Sequence, residues 1–207
     1  MSLDSRQNAQ RMPSTLLLTE HRQVLDSLDV LARRDLLDLW RTLDGGAEAT
    51  TNQLLADLPP VIDKYGAIAG DMAVDLYDSV RFDARAVGMF RAVATTVPQG
   101  QIDAMIRWAV GPLWSPDPDP ATALSNLDGG VTRLTLAPSR DTIVESTKTD
   151  PANPRYARTP DAGACEFCLM LAGRGAVYAE DTAGFEAHDR CKCGAVPIFD
   201  GDTAPEF

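Results

Sequence analysis

Four cysteines and one histidine lie close together near the C-terminus, and no other feature of the sequence limits the possible folds as strongly. They follow the pattern Cys165-x-x-Cys168, then His188-x-x-Cys191-x-Cys193. A Cys-x-x-Cys pair on a tight turn brings two sulfur atoms to one ion at about 2.3 Å, and a second pair completes the tetrahedron. The pattern therefore predicts a structural zinc (Zn²⁺) site that uses four of these five side chains.

The pattern leaves open which of Cys191 and Cys193 is a ligand. Side chains two positions apart in an extended segment point to opposite faces. Only one of the two sulfurs is therefore expected to reach the ion, unless the chain turns sharply at this point.

Three other roles compete with zinc for these cysteines: a redox Cys-x-x-Cys, disulfides formed only after release from the cell, and free buried thiols. A redox site is disfavoured because no βαβ pattern surrounds the pair. Burial of apolar residues alone can hardly stabilise the fold of a module of about 45 residues, which favours stabilisation by a disulfide or a bound metal ion. With all four positions filled by protein, the metal would be structural and not catalytic.

The rest of the chain is predicted to be mainly α. Hydrophobic residues make up 44% of the sequence but aromatic residues only 6%, a mixture that suits helices better than sheets. We expect an elongated helical domain over residues 1–150, with a break at the proline-rich segment 112–120. Residues 151–207 are expected to form the small Cys/His zinc-type module, with α and short β structure.

Local patterns predict where the helices begin and end. Apolar residues from Val24 to Leu43 recur every three or four positions, which is typical of an amphipathic helix with one buried stripe. Pro59-Pro60 is expected to kink or restart the second helix. Gly129-Gly130 and Pro138 are expected to break the last one, with Ser139 capping a new start and His21 on a solvated polar face. Residues 150–154 are expected to form a linker.

The charge of the chain argues against nucleic-acid binding. The formal net charge is −11, and no run of basic residues is longer than the pair Arg33-Arg34. Phosphate neutralisation by a basic face supplies most of the affinity of nucleic-acid-binding proteins. A specific nucleic-acid partner is therefore not expected. Neither a signal peptide nor an apolar stretch of about 20 residues is present, so we expect no membrane association. We expect the protein to be made in a reducing cytoplasm.

The C-terminal block resembles the signature of the Mu F-like phage head-morphogenesis proteins, in the form found in phages of actinobacteria. The similarity covers residues 155–200 and is carried by two strings, ACEFCLMLAGRGAVY from residue 164 and HDRCKCGAVPIF from residue 188. The common His-Pro-Asn-Cys of that family is His-Asp-Arg-Cys in this chain, which keeps the spacing of the five motif residues. The resemblance implies a minor capsid protein inside the virion head that acts in assembly or in DNA packaging and ejection. Its implied partners are the portal protein and/or the major capsid protein, with self-association through the first helix as another use of its apolar stripe.

The alternative function is a capsid maturation protease, but the sequence offers few catalytic residues. Its two histidines are His21 and His188, and His188 belongs to the metal motif. Neither a G-x-S-x-G elbow nor an H-E-x-x-H motif is present. A zinc hydrolase would need an open coordination position and a base such as Glu186 or Asp189. We therefore expect a protein that is not an enzyme.

Overall fold

The computed structural model describes residues 15–177, 185 and 187–202. These residues form five α-helices, one short 3₁₀ helix and two β-strands, so the prediction of a mainly α fold is confirmed. The α-helices are α1 (Thr15–Thr42), α2 (Ala47–Asp83), α3 (Gln99–Ala109), α4 (Pro120–Thr149) and α5 (Glu166–Ala172). The strands are β1 (Arg155–Thr159) and β2 (Gly194–Ile198), and the 3₁₀ helix spans Gly111–Trp114.

Helices α1, α2, α3 and α4 enclose the main hydrophobic core. The apolar stripe of α1 lies inside it: Leu25, Leu28 and Leu36 are buried, and Leu31 packs against them. The stripe therefore serves the core. Val30, on the other side of the helix, is exposed instead.

The prolines Pro59-Pro60 were predicted to kink or restart helix α2; the helix continues through them, so a restart is excluded and a kink stays a prediction. A proline inside a helix loses one hydrogen bond and costs about 3 kcal/mol. The apolar stripe of α2 continues on both sides, with Leu54, Leu58 and Ile62 fully buried. Because most helical stability in proteins comes from packing of such a stripe, burial outweighs the loss.

Helix α4 also runs without interruption, and the predicted breaks at Gly129-Gly130 and Pro138 are wrong. These residues instead allow close contact between helices. A Cβ atom on Gly130 would lie 2.5 Å from the sulfur of Met105 in α3. Pro138 packs against α2, where a Cβ atom on Gly66 would lie 3.3 Å from its ring.

The proline-rich segment before α4 is a compact connection. Leu113, in the 3₁₀ helix, packs against the main core. Asp119 then caps α4, and its carboxylate accepts a hydrogen bond from the backbone N–H of Thr122 at 3.0 Å. An acidic N-cap satisfies one of the unpaired N–H groups of the first turn, which fixes the start of α4.

The C-terminal strands pair antiparallel, with Arg155 opposite Ile198 and Thr159 opposite Gly194. They pack on α4 and α2 through a second core, in which Tyr77 contacts Phe199 edge-to-face at 5.8 Å between ring centroids. The segment 150–154, predicted as a linker, is a turn fastened by the buried carboxylate of Asp150. Hydrophobic packing therefore continues across the expected boundary at residue 150.

None of the helices among the described residues has the length and apolar character needed to cross a membrane.

Candidate metal centre

The five side chains of the Cys/His motif meet beside α5. Cys165 is the N-cap residue of this helix and is exposed, whereas Cys168 lies in its first turn and is buried. Cys191 and Cys193, on the segment that leads into β2, are also buried. A short helix that begins at the first cysteine turns both sulfur atoms of a Cys-x-x-Cys pair toward the same side.

The distances between ligand atoms fit a tetrahedral metal ion. Zinc bound at about 2.3 Å to sulfur and about 2.0 Å to nitrogen would place two sulfurs about 3.8 Å apart and a sulfur about 3.5 Å from the nitrogen. The sulfurs of Cys168 and Cys191 are 3.8 Å apart, and Cys168 Sγ lies 3.6 Å from His188 Nε2. Cys165 Sγ is closer to the same nitrogen, at 3.1 Å. The cluster could therefore hold a metal ion.

Two groups of three potential ligands make up the cluster, and they share Cys168. Cys165, Cys168 and His188 form one group, and Cys168, Cys191 and Cys193 form the other, with the ligand atoms of each group within 4.8 Å of one another. The structure thus brings all five predicted side chains together, and metal binding by four of them stays a prediction.

The imidazole of His188 is already oriented for metal binding. Its Nδ1 donates a hydrogen bond to the carbonyl oxygen of Asp189 at 2.8 Å, which leaves Nε2 facing the sulfurs. This hydrogen bond and the neighbouring thiol of Cys165 raise the pKa of His188. Metal-binding histidines commonly donate their second ring nitrogen to a carbonyl or carboxylate in this way.

The pKa values of the cysteine thiols differ, and so does the ease with which each thiol loses its proton. Burial raises the pKa of Cys168 to about 11, whereas a hydrogen bond from the thiol of Cys193 lowers the pKa of Cys191 to about 5. A backbone N–H of Cys168 lowers the pKa of Cys165. The thiolate is the form that binds metal. Cys165 and Cys191 therefore lose their protons more readily than an ordinary thiol, whereas Cys168 would need the metal to ionise it.

A tight turn presents His188 and Cys191. The N–H of Cys191 donates to the carbonyl of His188 at 3.0 Å, and Arg190 adopts a left-handed φ of 62°. The turn rests directly on α4, where Arg190 N–H donates to the carbonyl of Gly129 at 3.1 Å. A Cβ atom on Gly129 would lie 3.0 Å from the Cβ of Asp189, so this glycine permits the close approach.

Charged residues of α1 and α4 hold the segment 191–193 against the helices. Arg22 donates to the carbonyl of Lys192 at 2.8 Å. The ammonium group of Lys192 lies 2.7 Å from the fully buried carboxylate of Asp29. Arg140 donates to the carbonyls of Cys191 at 3.3 Å and Cys193 at 3.4 Å. The segment that carries Cys191 and Cys193 is therefore firmly connected to the helical bundle.

These supporting residues were missed in the sequence, although a signal was present. Asp29 lies within the apolar stripe of α1, four residues after Leu25 and three before Ala32. Arg140 lies in the same way four residues after Leu136 and three before Ile143 on α4. A charged residue at a core position of a helix needs a partner of opposite charge or a set of hydrogen bonds. This rule could have identified Asp29 and Arg140 from the sequence as residues with a buried partner.

His21 is buried and not solvated, which corrects the expectation from the sequence. Its Nε2 lies 3.1 Å from the hydroxyl oxygen of Ser139, which is an interior residue of α4 and not a helix cap. A serine beside a histidine raises the question of catalysis. The pair is sealed inside the protein, and among the described residues no carboxylate is hydrogen-bonded to the other ring nitrogen, as a catalytic triad would require.

One of the two candidate bases for a zinc hydrolase is engaged in an ion pair. Asp189, a candidate base, forms an ion pair with Arg133 at 2.8 Å. Glu186, the second candidate base, lies outside the described residues.

Burial of His21 predicts a pH-dependent loss of stability. Burial lowers the pKa of His21 to about 4, against an ordinary value of 6.5. The unfolded chain therefore takes up a proton first, and stability falls as the pH drops from 6.5 toward 4. Between pH 7 and pH 4 we expect His21 to account for about 3 kcal/mol of lost unfolding free energy.

The His21→Gln variant checks this expectation, because glutamine can keep the hydrogen bond to Ser139 but does not titrate. Urea unfolding of both proteins in the presence of a chelator, at several pH values, removes the contribution of the metal. Equal pH dependence of the two proteins would show that His21 is not the titrating group.

Comparisons with known proteins identify a family. A family model described as VG15 protein matches residues 12–206, nearly the whole chain. No curated protein matches the chain, and no solved structure matches it either.

Proposed function

The chain belongs to the VG15 protein family, a family of phage-encoded proteins, and we propose that it is a structural minor capsid protein of a tailed bacteriophage. In this proposal it is made in the host cytoplasm and resides inside the virion head, next to the portal. It acts there in head assembly or in DNA packaging and ejection. The C-terminal module is held together by one structural Zn²⁺ ion.

One observation carries the proposal: the motif that resembles the Mu F-like head proteins is also the part of the chain where five potential ligands converge. The family match gives the phage origin, and the resemblance supplies the finer role in the head. The five Cys/His side chains lie close to one another and beside the helical bundle. This arrangement supports a structural metal ion that holds the C-terminal module together. A structural metal ion explains why a head protein would carry this motif without catalysing a reaction.

The proposed partners are the portal protein and/or the major capsid protein, and the outer face of α5 is the surface we assign to them. Phe167 and Met170 are one helical turn apart on this helix, and each exposes about half of its side chain (54% and 51%). Leu169 is exposed to the same degree. Grouped apolar side chains on a protein surface mark an interaction site.

Phe167→Asp is expected to leave the fold and the metal content unchanged but to reduce incorporation into heads at least about tenfold, because aromatic anchors dominate interface energies. Val30→Asp, on an exposed position of α1, is the matched control and should be incorporated normally. Equal incorporation of both variants, measured by mass spectrometry of purified heads, would exclude α5 as the docking surface.

The function is tested with a phage that lacks this gene, complemented by the wild-type chain or by a variant. We expect the chain in purified heads at low copy number. We also expect its loss to give heads that are defective in assembly, packaging or ejection while the major capsid protein is processed normally. If the chain is instead a capsid maturation protease, its loss would leave the major capsid protein uncleaved, and a His188→Ala variant would reproduce that defect.

A further inference from the structure

A buried arginine without a carboxylate partner stands directly behind the metal cluster. Arg140 is 2% exposed, and its guanidinium donates to three carbonyl oxygens, those of Cys191, Cys193 and Arg133. Among the described residues no salt bridge to Arg140 is found. A buried charge that is not compensated costs several kcal/mol. The site of Arg140 therefore requires a negative charge close by.

Metal-bound thiolates would supply that charge. A divalent ion with three thiolates and one neutral imidazole carries a formal charge of −1, whereas four thiolates give −2. The other cation of this segment, Lys192, is already paired with the buried carboxylate of Asp29. A centre of charge −1 therefore balances Arg140 alone, and this selects a set of three cysteines and one histidine.

Contacts with His188 distinguish Cys191 from Cys193, since both sulfurs lie within 4.8 Å of the Cys168 sulfur. Cys168 Sγ lies at the spacing of tetrahedral ligands from both His188 Nε2 and Cys191 Sγ, at 3.6 Å and 3.8 Å, and Cys165 Sγ contacts the same nitrogen. Cys191 closes a turn with His188, so both can adjust together around an ion. Cys193 directly precedes β2, whose pairing with β1 holds it in place.

We propose that Cys165, Cys168, His188 and Cys191 bind the ion, that Cys193 stays outside the coordination sphere, and that Arg140 compensates the charge of the loaded centre. Arg140 is thus a positioning residue: it touches the carbonyls of the ligand segment and not the ion. This inference rests on the metal centre proposed above, but it is more specific in fixing the ligand set.

Cobalt substitution tests the ligand set in the full-length protein. Co²⁺ bound by thiolates absorbs in the near ultraviolet in proportion to the number of sulfur ligands. The wild type and Cys193→Ser are expected to bind one Co²⁺ per chain with equal absorption. Cys191→Ser is expected to lose about one third of the absorption and to bind about 100-fold more weakly. Cys193→Ala replaces Cys193→Ser if the serine variant does not fold.

The possible failures are distinguishable. Loss of absorption in both Cys193 variants, with retention in Cys191→Ser, would overturn the ligand set and leave the metal centre intact. No uptake of Co²⁺ or Zn²⁺ by the wild type would overturn the metal centre itself, and the ligand set with it.

Arg140→Met tests the charge argument, because the effect of the substitution is expected to differ between the zinc-bound and the zinc-free protein. With zinc bound, the variant leaves a negative centre uncompensated, so zinc affinity measured by chelator competition should fall about 10- to 100-fold, as for other residues that support metal ligands. Without zinc, the wild type holds an unbalanced buried cation, so the variant should unfold at an equal or higher temperature. Equal destabilisation with and without zinc would reduce Arg140 to a structural hydrogen-bond donor and overturn its proposed role.

Discussion

Cys168→Ser is expected to abolish tight metal binding and to release residues 188–193 from the helices. Cys168 is the one residue that belongs to both groups of potential ligands. Structural zinc sites contribute apparent binding free energies of about 10–16 kcal/mol, so the loss of one ligand in four should weaken binding about 100-fold or more. Serine keeps the size of the side chain, and the effect therefore reports on the sulfur.

The consequences should extend into the helical bundle. When the segment 191–193 detaches, Asp29 loses Lys192 and Arg140 loses its two carbonyl acceptors. A buried charge left without its partner typically costs about 3–5 kcal/mol. We therefore expect faster amide hydrogen exchange in residues 188–193 and also in α1 around Asp29.

Zinc content by elemental analysis and hydrogen exchange by mass spectrometry measure both effects. Cys193→Ser is the matched control, because Cys168 and Cys193 are equally buried at 3% exposure. Full zinc content and unchanged exchange in Cys168→Ser would place the metal elsewhere. If the wild-type protein contains no metal but has reactive thiols and an intact fold, the proposal of a structural zinc ion is excluded and the protease alternative is favoured.

Features that depend on local sequence were predicted correctly. The apolar stripe of α1 follows from residue spacing along one helix, because side chains three or four positions apart share a face. The clustering of the five side chains could be identified because candidate ligands come in pairs that are close in the chain, as in Cys165-x-x-Cys168, whereas their binding of a metal stays a prediction. Both patterns need only information from neighbouring residues.

The errors in the helical region share one physical cause. Glycine and proline were read as interruptions, yet Gly129, Gly130 and Pro138 lie inside α4. Their intrinsic cost is fixed by local chemistry, but their benefit depends on what approaches them: the turn at Asp189, the side chain of Met105, or α2. A single sequence does not reveal such partners.

The supporting residues of the metal centre were missed for a related reason. Arg22 and Lys192 are 170 positions apart in the chain, and Arg140 reaches carbonyls more than 50 positions away. Backbone carbonyls carry no sequence signature, so an arginine that binds them cannot be recognised from residue types. The available signal was a charged residue within an apolar stripe. This signal indicates that the residue needs a partner, but it does not indicate which residue the partner is.

Asp150→Ala is expected to lower the free energy of unfolding by about 3–5 kcal/mol, because it leaves the guanidinium of Arg81 unpaired beside the core. The Asp150 side chain is fully buried, and its carboxylate accepts hydrogen bonds from Arg81 Nε at 2.8 Å and Tyr77 Oη at 3.0 Å. It also accepts one from the N–H of Ala152 at 2.8 Å, which fixes the turn before β1. The same arginine donates to the carbonyls of residues 87 and 88. One carboxylate thus connects α2, the end of α4, the turn into β1 and the segment after α2.

Glu145→Ala is the matched control for this prediction. Glu145 forms an ion pair with Lys148 at the same 2.8 Å, but both side chains reach solvent, at 56% and 28% exposure, whereas Asp150 and Arg81 are at 0% and 12%. Exposed pairs contribute about 0–1 kcal/mol, so this variant should unfold nearly as the wild type does in urea. Because the two pairs share their N–O distance, a difference between the variants reports the burial of Asp150 together with its additional hydrogen bonds from Tyr77 and Ala152. Equal losses in the two variants would mean that Arg81 finds water or another acceptor when Asp150 is removed, and that the turn at residues 150–154 is held by the hydrophobic contacts of Tyr77 and Phe199 instead.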